Sequence, residues 1–324
     1  MRSVIGSIGR TLVGLCMATA ALAAAPVEPI RPDDYLTDTR AKAMHGEIGP
    51  DGTRLAAAVE RDAVRRIEVV DLKQPSAARP ITSGAGIDDF PTWAPDGQSV
   101  VFQSTRGATT KLYRVAVSGG PEVPLTFGSG DDLHPRLSRS GRFLAFDSNR
   151  SGNYDIWVLE LASGKLARVT TDPEPDFYPV WSPNDRALAF TSARSGRFEV
   201  WIQPLGRGRQ AVRFTSGSGH QAHPDWSTGG WIAYDSDQNG KVRVAALATA
   251  QGSQEVSLSG GATNEEFPRF TPDGRAVLAQ VTEGERVGLK LRPCPFGPGT
   301  VVAPVSPTSV PGTGPATGAV IAEG

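Results

Sequence analysis

Three of the four histidines in this sequence recur at intervals of 89 residues: His45, His134 and His223. Neutral imidazole is a common ligand of divalent transition metals. Three imidazoles that met at one point would bind such a metal and leave positions for water or substrate, which would support metal-assisted lyase or hydrolase chemistry. Because metal–nitrogen bonds are about 2.1 Å long, this hypothesis requires the three rings to lie within about 4 Å of one another.

The histidines belong to a longer column in which every member is an imidazole or an aromatic ring. At spacings of 44 or 45 residues, it reads His45, Phe90, His134, Tyr178, His223 and Phe267. A position that accepts any flat side chain is also what a packing layer would require. The sequence leaves both interpretations open, the metal cluster and the packing layer.

Two residues before this column runs a second one, in which four of six members are acidic: Ala43, Asp88, Asp132, Asp176, Gln221 and Glu265. One interpretation is an acidic collar that attracts a cationic ligand, a basic peptide or a metal. In the other, each carboxylate fixes its own turn or pairs with an arginine of a neighbouring loop, such as Arg106, Arg150 or Arg194. The candidate binding residues are Asp88, Asp89, Asp131, Asp132, Asp176, His220, Glu265 and Glu266.

Both columns are parts of a repeat of about 44 residues that occurs six times. Each copy has a large apolar residue, a Pro/Asp/Gly-type turn and then a run of β-formers. The apolar residues, which we expect to pack between the repeats, are Ile48, Trp93, Leu137, Trp181, Trp226 and Phe270. Four short strands fit into each repeat, with turns every 8–12 residues, and this pattern is typical of a propeller blade.

We therefore predict an all-β fold, a six-bladed β-propeller with four-stranded antiparallel blades. The sixth repeat ends after its third strand, near Arg292, whereas Leu36 and Thr37 match the fourth-strand position with no blade of their own. We expect residues about 33–38 to supply the outer strand of the last blade, which would close the ring and cover its sheet edge. The loops that lead into the inner strands would then share one face, opposite the Pro/Asp/Gly turns.

The repeats resemble those of the TolB-type propeller family. The segments that carry the resemblance are Phe90-Pro91-Thr92-Trp93-Ala94-Pro95-Asp96-Gly97 with Val101-Phe102, Tyr178-Pro179-Val180-Trp181-Ser182-Pro183 with Leu188-Ala189-Phe190, and Tyr154-Asp155-Ile156-Trp157. The resemblance implies a six-bladed propeller, often periplasmic, that is used for binding. Full-length TolB proteins contact a peptidoglycan-associated lipoprotein and membrane Tol components, and carry an α/β domain before the propeller, for which residues 26–43 are too few.

The two ends of the sequence differ from the repeats. Residues 1–25 read as a signal peptide, in which Arg2 and Arg10 form a positive region before a short apolar stretch, with small residues near Ala23. We therefore expect a periplasmic or secreted protein, with the propeller over residues 26–292. Residues 293–324 are rich in Pro, Gly and Thr, and we expect a disordered tail there.

Composition narrows the function further. The chain has 324 residues, with Lys+Arg 33 against Asp+Glu 34 and a net charge of −1, so it lacks the basic excess of a nucleic-acid binder. We expect no membrane span after residue 25, no required cofactor and a monomer. The same repeat also precedes the catalytic domain of prolyl-oligopeptidase-type enzymes, but no Gly-x-Ser-x-Gly nucleophile elbow occurs in this sequence.

The leading hypothesis is a non-enzymatic module that binds an envelope protein or peptide. A metal-dependent carbohydrate lyase or hydrolase that uses His45, His134 and His223 is the alternative. A third hypothesis is a propeller that shields or gates a separately encoded peptidase.

Overall fold

A computed structural model describes residues 41–296, apart from 238–239, 251 and 261–262. The predicted signal peptide, the predicted closing strand at residues 33–38 and the tail beyond residue 296 lie outside these residues. Among the described residues, no helix has the length and hydrophobicity that crossing a membrane requires.

The described part of the chain forms 23 strands. Their bounds are β1 Lys42–Ile48, β2 Arg54–Arg61, β3 Val64–Asp71, β4 Gln74–Pro80, β5 Asp88–Trp93, β6 Ser99–Ser104, β7 Lys111–Ala116, β8 Val123–Pro124, β9 Asp132–Leu137, β10 Phe143–Ser148, β11 Asp155–Glu160, β12 Leu166–Arg168, β13 Asp176–Trp181, β14 Ala187–Ser192, β15 Glu199–Pro204, β16 Val212–Arg213, β17 Gln221–Trp226, β18 Trp231–Ser236, β19 Arg243–Ala248, β20 Val256–Ser257, β21 Asn264–Phe270, β22 Ala276–Glu283 and β23 Arg286–Pro293.

Consecutive strands pair antiparallel in six sheets, which confirms the predicted six-bladed propeller with four-stranded blades. Blades 1 to 5 are β1–β4, β5–β8, β9–β12, β13–β16 and β17–β20, and the described part of blade 6 is β21–β23. The first strand of each blade is the inner one, and each inner strand contacts the inner strands of both neighbouring blades.

The ring closes where blade 6 packs against blade 1. Strand β1 contacts β21, β22 and β23. A Cβ atom at Gly46 would lie 2.5 Å from Leu289 Cδ1 of β23, so any larger residue at this junction would have to displace the Leu289 side chain. The predicted fourth strand of blade 6 lies outside the described residues.

The core lies between the blades, because each sheet buries both of its faces against its neighbours. The large apolar column supplies the contacts near the ends of the inner strands. Trp93 is 4% and Trp181 6% exposed. Their indole N–H groups donate to carbonyl oxygens of the preceding blade, Trp93 to Glu47 at 2.9 Å and Trp181 to Arg136 at 3.0 Å. These tryptophans therefore act as wedges that fix one blade to the next.

The interface between blades 2 and 3 lacks such a wedge. Blade 3 has Leu137 where blades 2 and 4 have tryptophan, and a cavity of about 420 Å³ opens between blades 2 and 3 beside it. Val101, Leu125 and Leu161 give this cavity apolar walls. The smaller side chain leaves unfilled the volume that an indole fills at the next interface.

The end of the propeller lies slightly beyond the predicted boundary at residue 292. Strand β23 continues to Pro293, and the backbone N–H of Cys294 donates to Arg275 O at 2.8 Å. Phe296 stacks on Trp231, with ring centroids 3.9 Å apart and planes within 3°. Residues 293–296 therefore cover the apolar edge of blades 5 and 6.

Candidate functional site: the plugged central channel

The six inner strands line the central channel and run in the same direction along it. We call the end at which they begin the collar face, and the end at which they lead into the Pro/Asp/Gly-type turns the turn face. The residues of the inner strands that face the channel form four layers along its axis. From the collar face these are the acidic column, the ring of aromatic and imidazole residues, a column of partly charged residues and the large apolar column.

The second layer is formed by a β-bulge that repeats in all six blades. The pairing register between the first and second strands shifts at this point in every blade. The six residues there have left-handed backbones, with φ from 49° to 55°: His45, Phe90, His134, Tyr178, His223 and Phe267. Non-glycine residues rarely adopt this conformation, and its repetition shows that the surrounding structure enforces it.

The bulge brings the six rings together across the channel, and we call them the aromatic layer. Around the ring, the centroid distances are 3.7 Å for His45–Phe90, 4.4 Å for Phe90–His134 and 3.9 Å for His134–Tyr178. They continue at 4.3 Å for Tyr178–His223, 3.9 Å for His223–Phe267 and 4.5 Å for Phe267–His45. Rings at van der Waals contact leave no passage, so the channel is closed at this level and each mouth is a blind cup.

Side chains from the preceding blade hold the strained backbone in place. The N–H of Tyr178 donates to Asp147 Oδ1 at 3.0 Å, and that of Phe267 donates to Asp235 Oδ2 at 3.0 Å. The corresponding N–H groups of His134 and His223 reach Gln103 and Thr191. Four of the six bulges are thus fixed from the second strand of the preceding blade, whereas the Phe90 N–H donates to Asp89 of its own strand.

Each histidine of the layer has its Nδ1 on a carboxylate oxygen. His45 bonds Asp89 at 2.6 Å, His134 bonds Asp147 at 2.8 Å and His223 bonds Asp235 at 2.6 Å. Asp147 therefore serves two blades with a single oxygen. Burial lowers the pKa of His45, against the hydrogen bond and the charge of Asp89.

The predicted metal cluster does not form among the described residues. An aromatic ring stands between each pair of histidines, and the bulge packs the six side chains against one another instead of directing three imidazoles to one point. No group of three or more His, Cys, Asp or Glu side chains in the described part of the chain is placed to hold a metal ion. The interpretation as a packing layer matches the geometry.

Carboxylates of the acidic column at the collar face pair with arginines of their own blades, and Asp132 also pairs with Lys111 of blade 2 at 3.0 Å. Asp88 accepts from Arg106 at 2.8 Å and Asp132 from Arg150 at 2.6 Å. Asp176 accepts from Arg194 at 2.7 Å, in an identical arrangement. All three carboxylates are fully buried.

The arginines of these pairs also lie over aromatic rings. Arg194 stands 5.2 Å from the Phe190 centroid and 5.0 Å from that of Trp201, and blades 2 and 3 repeat the arrangement. Burial raises the pKa of Asp176, against the charge of Arg194. The charges of these carboxylates are therefore neutralised by arginine pairing, which is the second interpretation of the acidic column given above.

The remaining candidate binding residues differ in exposure. Glu265 is buried and paired with Arg292, and Asp89 is paired with Arg65 and His45. Burial alone would raise the pKa of Asp89, but these two partners and the Phe90 N–H hold it below its ordinary value. Asp131 and Glu266 are half-buried and His220 is exposed.

The third layer was not singled out from the sequence, and it contains four charged side chains, three of which form ion pairs across the channel. Its six members are Glu47, Thr92, Arg136, Val180, Asp225 and Arg269. Arg136 of blade 3 donates to Glu47 of blade 1 at 2.6 Å and also to Asp225 of blade 5. These pairs join residues 89 positions apart. That spacing equals the one between the histidines, and it was the signal in the sequence that could have revealed the layer.

Beyond this charged layer, the channel widens into a cavity of about 400 Å³ that opens on the turn face. We call it the funnel. Its walls include all six residues of the charged layer and all six of the large apolar column, among them Trp93, Trp181, Trp226 and Phe270. An apolar wall with a few converging charged groups, in a cavity of this size, is typical of a ligand-binding site.

The fold and the repeated channel define a propeller of the TolB type. A model of the TolB beta propeller domain matches residues 37–149 and 129–292, and the chain belongs to this family. A comparison with curated protein sequences finds no match.

Solved structures with the same fold include TolB from Acinetobacter baumannii, with a TM-score of 0.62, 21% identity and 80% of this chain covered. This chain spans 62% of the length of that protein. A putative TolB from Agrobacterium tumefaciens has a TM-score of 0.62 at 19% identity, over 79% of this chain and 90% of that one. An oligogalacturonate lyase in complex with manganese has a TM-score of 0.57 at 13% identity, over 79% and 90% of the two chains. At these identities the likeness concerns the fold.

Proposed function

We propose that this protein is an exported, non-enzymatic binding module that holds a protein or peptide partner of the cell envelope in the funnel. The observation that carries the proposal is the closed aromatic layer, because it turns the channel into a cup with apolar walls and a charged floor. The family supports it, since the known structures of this fold include TolB proteins.

The turn face suits a partner better than the collar face. At the collar, Asp88, Asp132 and Asp176 are buried and already paired with arginines, so their charges would have to be separated before they could bind a ligand. At the turn face, indole edges line an open cavity of about 400 Å³. Aromatic side chains in concave surfaces are the commonest anchors of protein interfaces.

Site-specific photo-crosslinking at the two ends of blade 5 tests this proposal. Thr228, at the funnel rim, and His220, at the collar face, are both exposed. Each is replaced by a photoreactive phenylalanine analogue, and the protein is irradiated in envelope extract of the organism that produces it. We expect a discrete crosslinked species from position 228 and none from position 220. The reverse result would place the partner at the collar, and no species from either position would contradict a binding function.

A further inference from the structure

Arg269 is the member of the charged layer whose hydrogen-bonding capacity is left unused. In the described part of the chain, its guanidinium makes one hydrogen bond, from Nη1 to the carbonyl oxygen of Pro268 at 2.9 Å, and no ion pair. A guanidinium has five N–H donors. Arg136, by contrast, is engaged by Glu47 and Asp225.

The acidic groups beside Arg269 have no comparable capacity left. Asp225 uses Oδ1 for Arg136 and Oδ2 for the Phe270 N–H, the latter at 2.8 Å. Glu47 uses Oε2 for Arg136, while Oε1 accepts from the Trp93 N–H at 3.4 Å. The floor of the funnel therefore presents unused N–H donors, those of Arg269, to an incoming molecule.

The position of Arg269 makes these donors reachable. Arg269 lines the funnel and also a small cavity under His45, Phe90, His134 and Tyr178, so it stands at the bottom of the cup, next to the aromatic layer. Burial lowers the pKa of Arg269 to about 10, and the charge of Arg136 adds to this effect. Arg269 is half-buried, and a guanidinium with spare donors in such a place is stabilised by an anion that pairs with it.

We propose that the funnel recognises a carboxylate of a peptide, which pairs with Arg269 while an adjoining apolar side chain packs against the tryptophan edges of the wall. A planar carboxylate accepts two parallel N–H bonds from a guanidinium. The carboxylate could be the C-terminus of the partner or an Asp or Glu side chain. This inference rests on the proposed function and specifies the chemistry of its site.

The test uses three small peptides and isothermal titration calorimetry with the full chain. N-acetyl-tryptophyl-phenylalanine has a free C-terminal carboxylate, and its C-terminal amide lacks that charge. N-acetyl-tryptophyl-aspartyl-phenylalaninamide carries the charge on a side chain. We expect at least one of the two carboxylate peptides to bind about tenfold more tightly than the neutral amide, which is about 1.4 kcal/mol. The tighter of the two identifies whether a C-terminal or a side-chain carboxylate is preferred.

Arg269→Gln should remove this preference and leave the affinity for the neutral amide unchanged. Arg142→Gln is the matched control, since it removes the same charge from an exposed arginine paired with Glu160, and it should keep the preference. If Arg269→Gln does not fold, Arg269→Lys should keep the charge but reduce the preference, because an ammonium lacks the planar fork. Equal affinities of all three peptides for the wild-type chain would overturn the carboxylate inference. The proposed binding function would not be affected by that result. No binding of any of them would contradict this inference and leave the crosslinking result to decide the function.

Discussion

The two ends of the central channel are built from the same six strands, yet they neutralise charge in different ways. At the collar face, three buried carboxylates, Asp88, Asp132 and Asp176, each pair with an arginine 18 positions away in the same blade. At the turn face, Arg136 pairs with residues of two other blades, each 89 positions away. These arginine pairs of the collar can form in a single blade, and the other collar pairs, such as Lys111–Asp132, join neighbouring blades. The channel pairs, by contrast, exist only when the ring is closed.

The two mouths of the channel therefore differ in how many hydrogen-bond donors they leave unused. At the collar face, Arg106, Arg150 and Arg194 are each paired with a buried carboxylate and lie over aromatic rings. The charged layer distributes two arginines and two carboxylates over four blades, and one guanidinium keeps free donors. The arginines of the three collar pairs are therefore engaged, whereas the charged layer retains unused donors at Arg269.

The largest effect is expected from breaking the channel pairs. Arg136→Met removes the guanidinium that pairs with both Glu47 and Asp225, and burial already raises the pKa of Glu47. We expect a loss of about 3 kcal/mol in the free energy of unfolding, measured by urea denaturation. Arg142→Met, which breaks the exposed Arg142–Glu160 pair, should cost no more than about 0.5 kcal/mol. Equal stability of the two variants would show that the cross-channel pairs do not hold the ring.

A collar variant should have a smaller and more local effect. Arg194→Lys keeps the charge beside Asp176 but loses the Nε–H bond to Ser192 and the stacking on Phe190 and Trp201. We expect a cost of about 1.5 kcal/mol. Hydrogen–deuterium exchange should show faster exchange in blade 4 only, whereas Arg136→Met should affect blades 1, 3 and 5. A collar variant that loosened the whole ring would remove the distinction between the two ends.

The collar face and the blades could be predicted from the sequence more fully than the charged layer. The repeat length, the six copies and the turn chemistry predict the blades, because each copy needs its neighbours to bury two sheet faces. The alternatives for the acidic column included the Arg106, Arg150 and Arg194 pairs, since a pair 18 residues apart lies within one repeat. The likeness of the histidine column to a packing layer was also visible from Phe90 and Tyr178.

The remaining features depend on three-dimensional geometry that a repeat does not encode. Whether the rings at His45 and Phe267 touch depends on the channel radius and on a bulge with positive φ. Asp147 and Asp235 hold this layer from the second strand, a column that carries no pattern of its own because Gln103 and Thr191 take the same place. The pairing of Arg136 with Glu47 and Asp225 likewise requires the closed ring.

The interface between blades 2 and 3 offers a way to gain stability. Leu137→Trp would place an indole in the cavity of about 420 Å³, as Trp181 does at the next interface. We expect a gain of about 1 kcal/mol from the added apolar burial, measured as a higher unfolding midpoint in urea. Trp181→Leu is the reverse change and should cost about 2 kcal/mol or more, because it creates a comparable cavity. A Leu137→Trp variant that is less stable than the wild type would show that the cavity cannot accept an indole without displacing its walls.

The smallest effect concerns the pH dependence of the aromatic layer. Burial lowers the pKa of His45 below its ordinary value of 6.5, so below that pH the unfolded chain binds a proton that the folded protein resists. The stability that His45 contributes is therefore present above pH 6.5 and is lost as the pH falls through the folded-state pKa. His45→Phe keeps a flat ring between Phe90 and Phe267 and removes the titrating group. The unfolding midpoint should then fall less between about pH 7.5 and 5.5 in the variant than in the wild type, by a margin smaller than the gain from Leu137→Trp. An identical fall in both proteins would mean that His45 is as free to take a proton in the closed channel as in the unfolded chain.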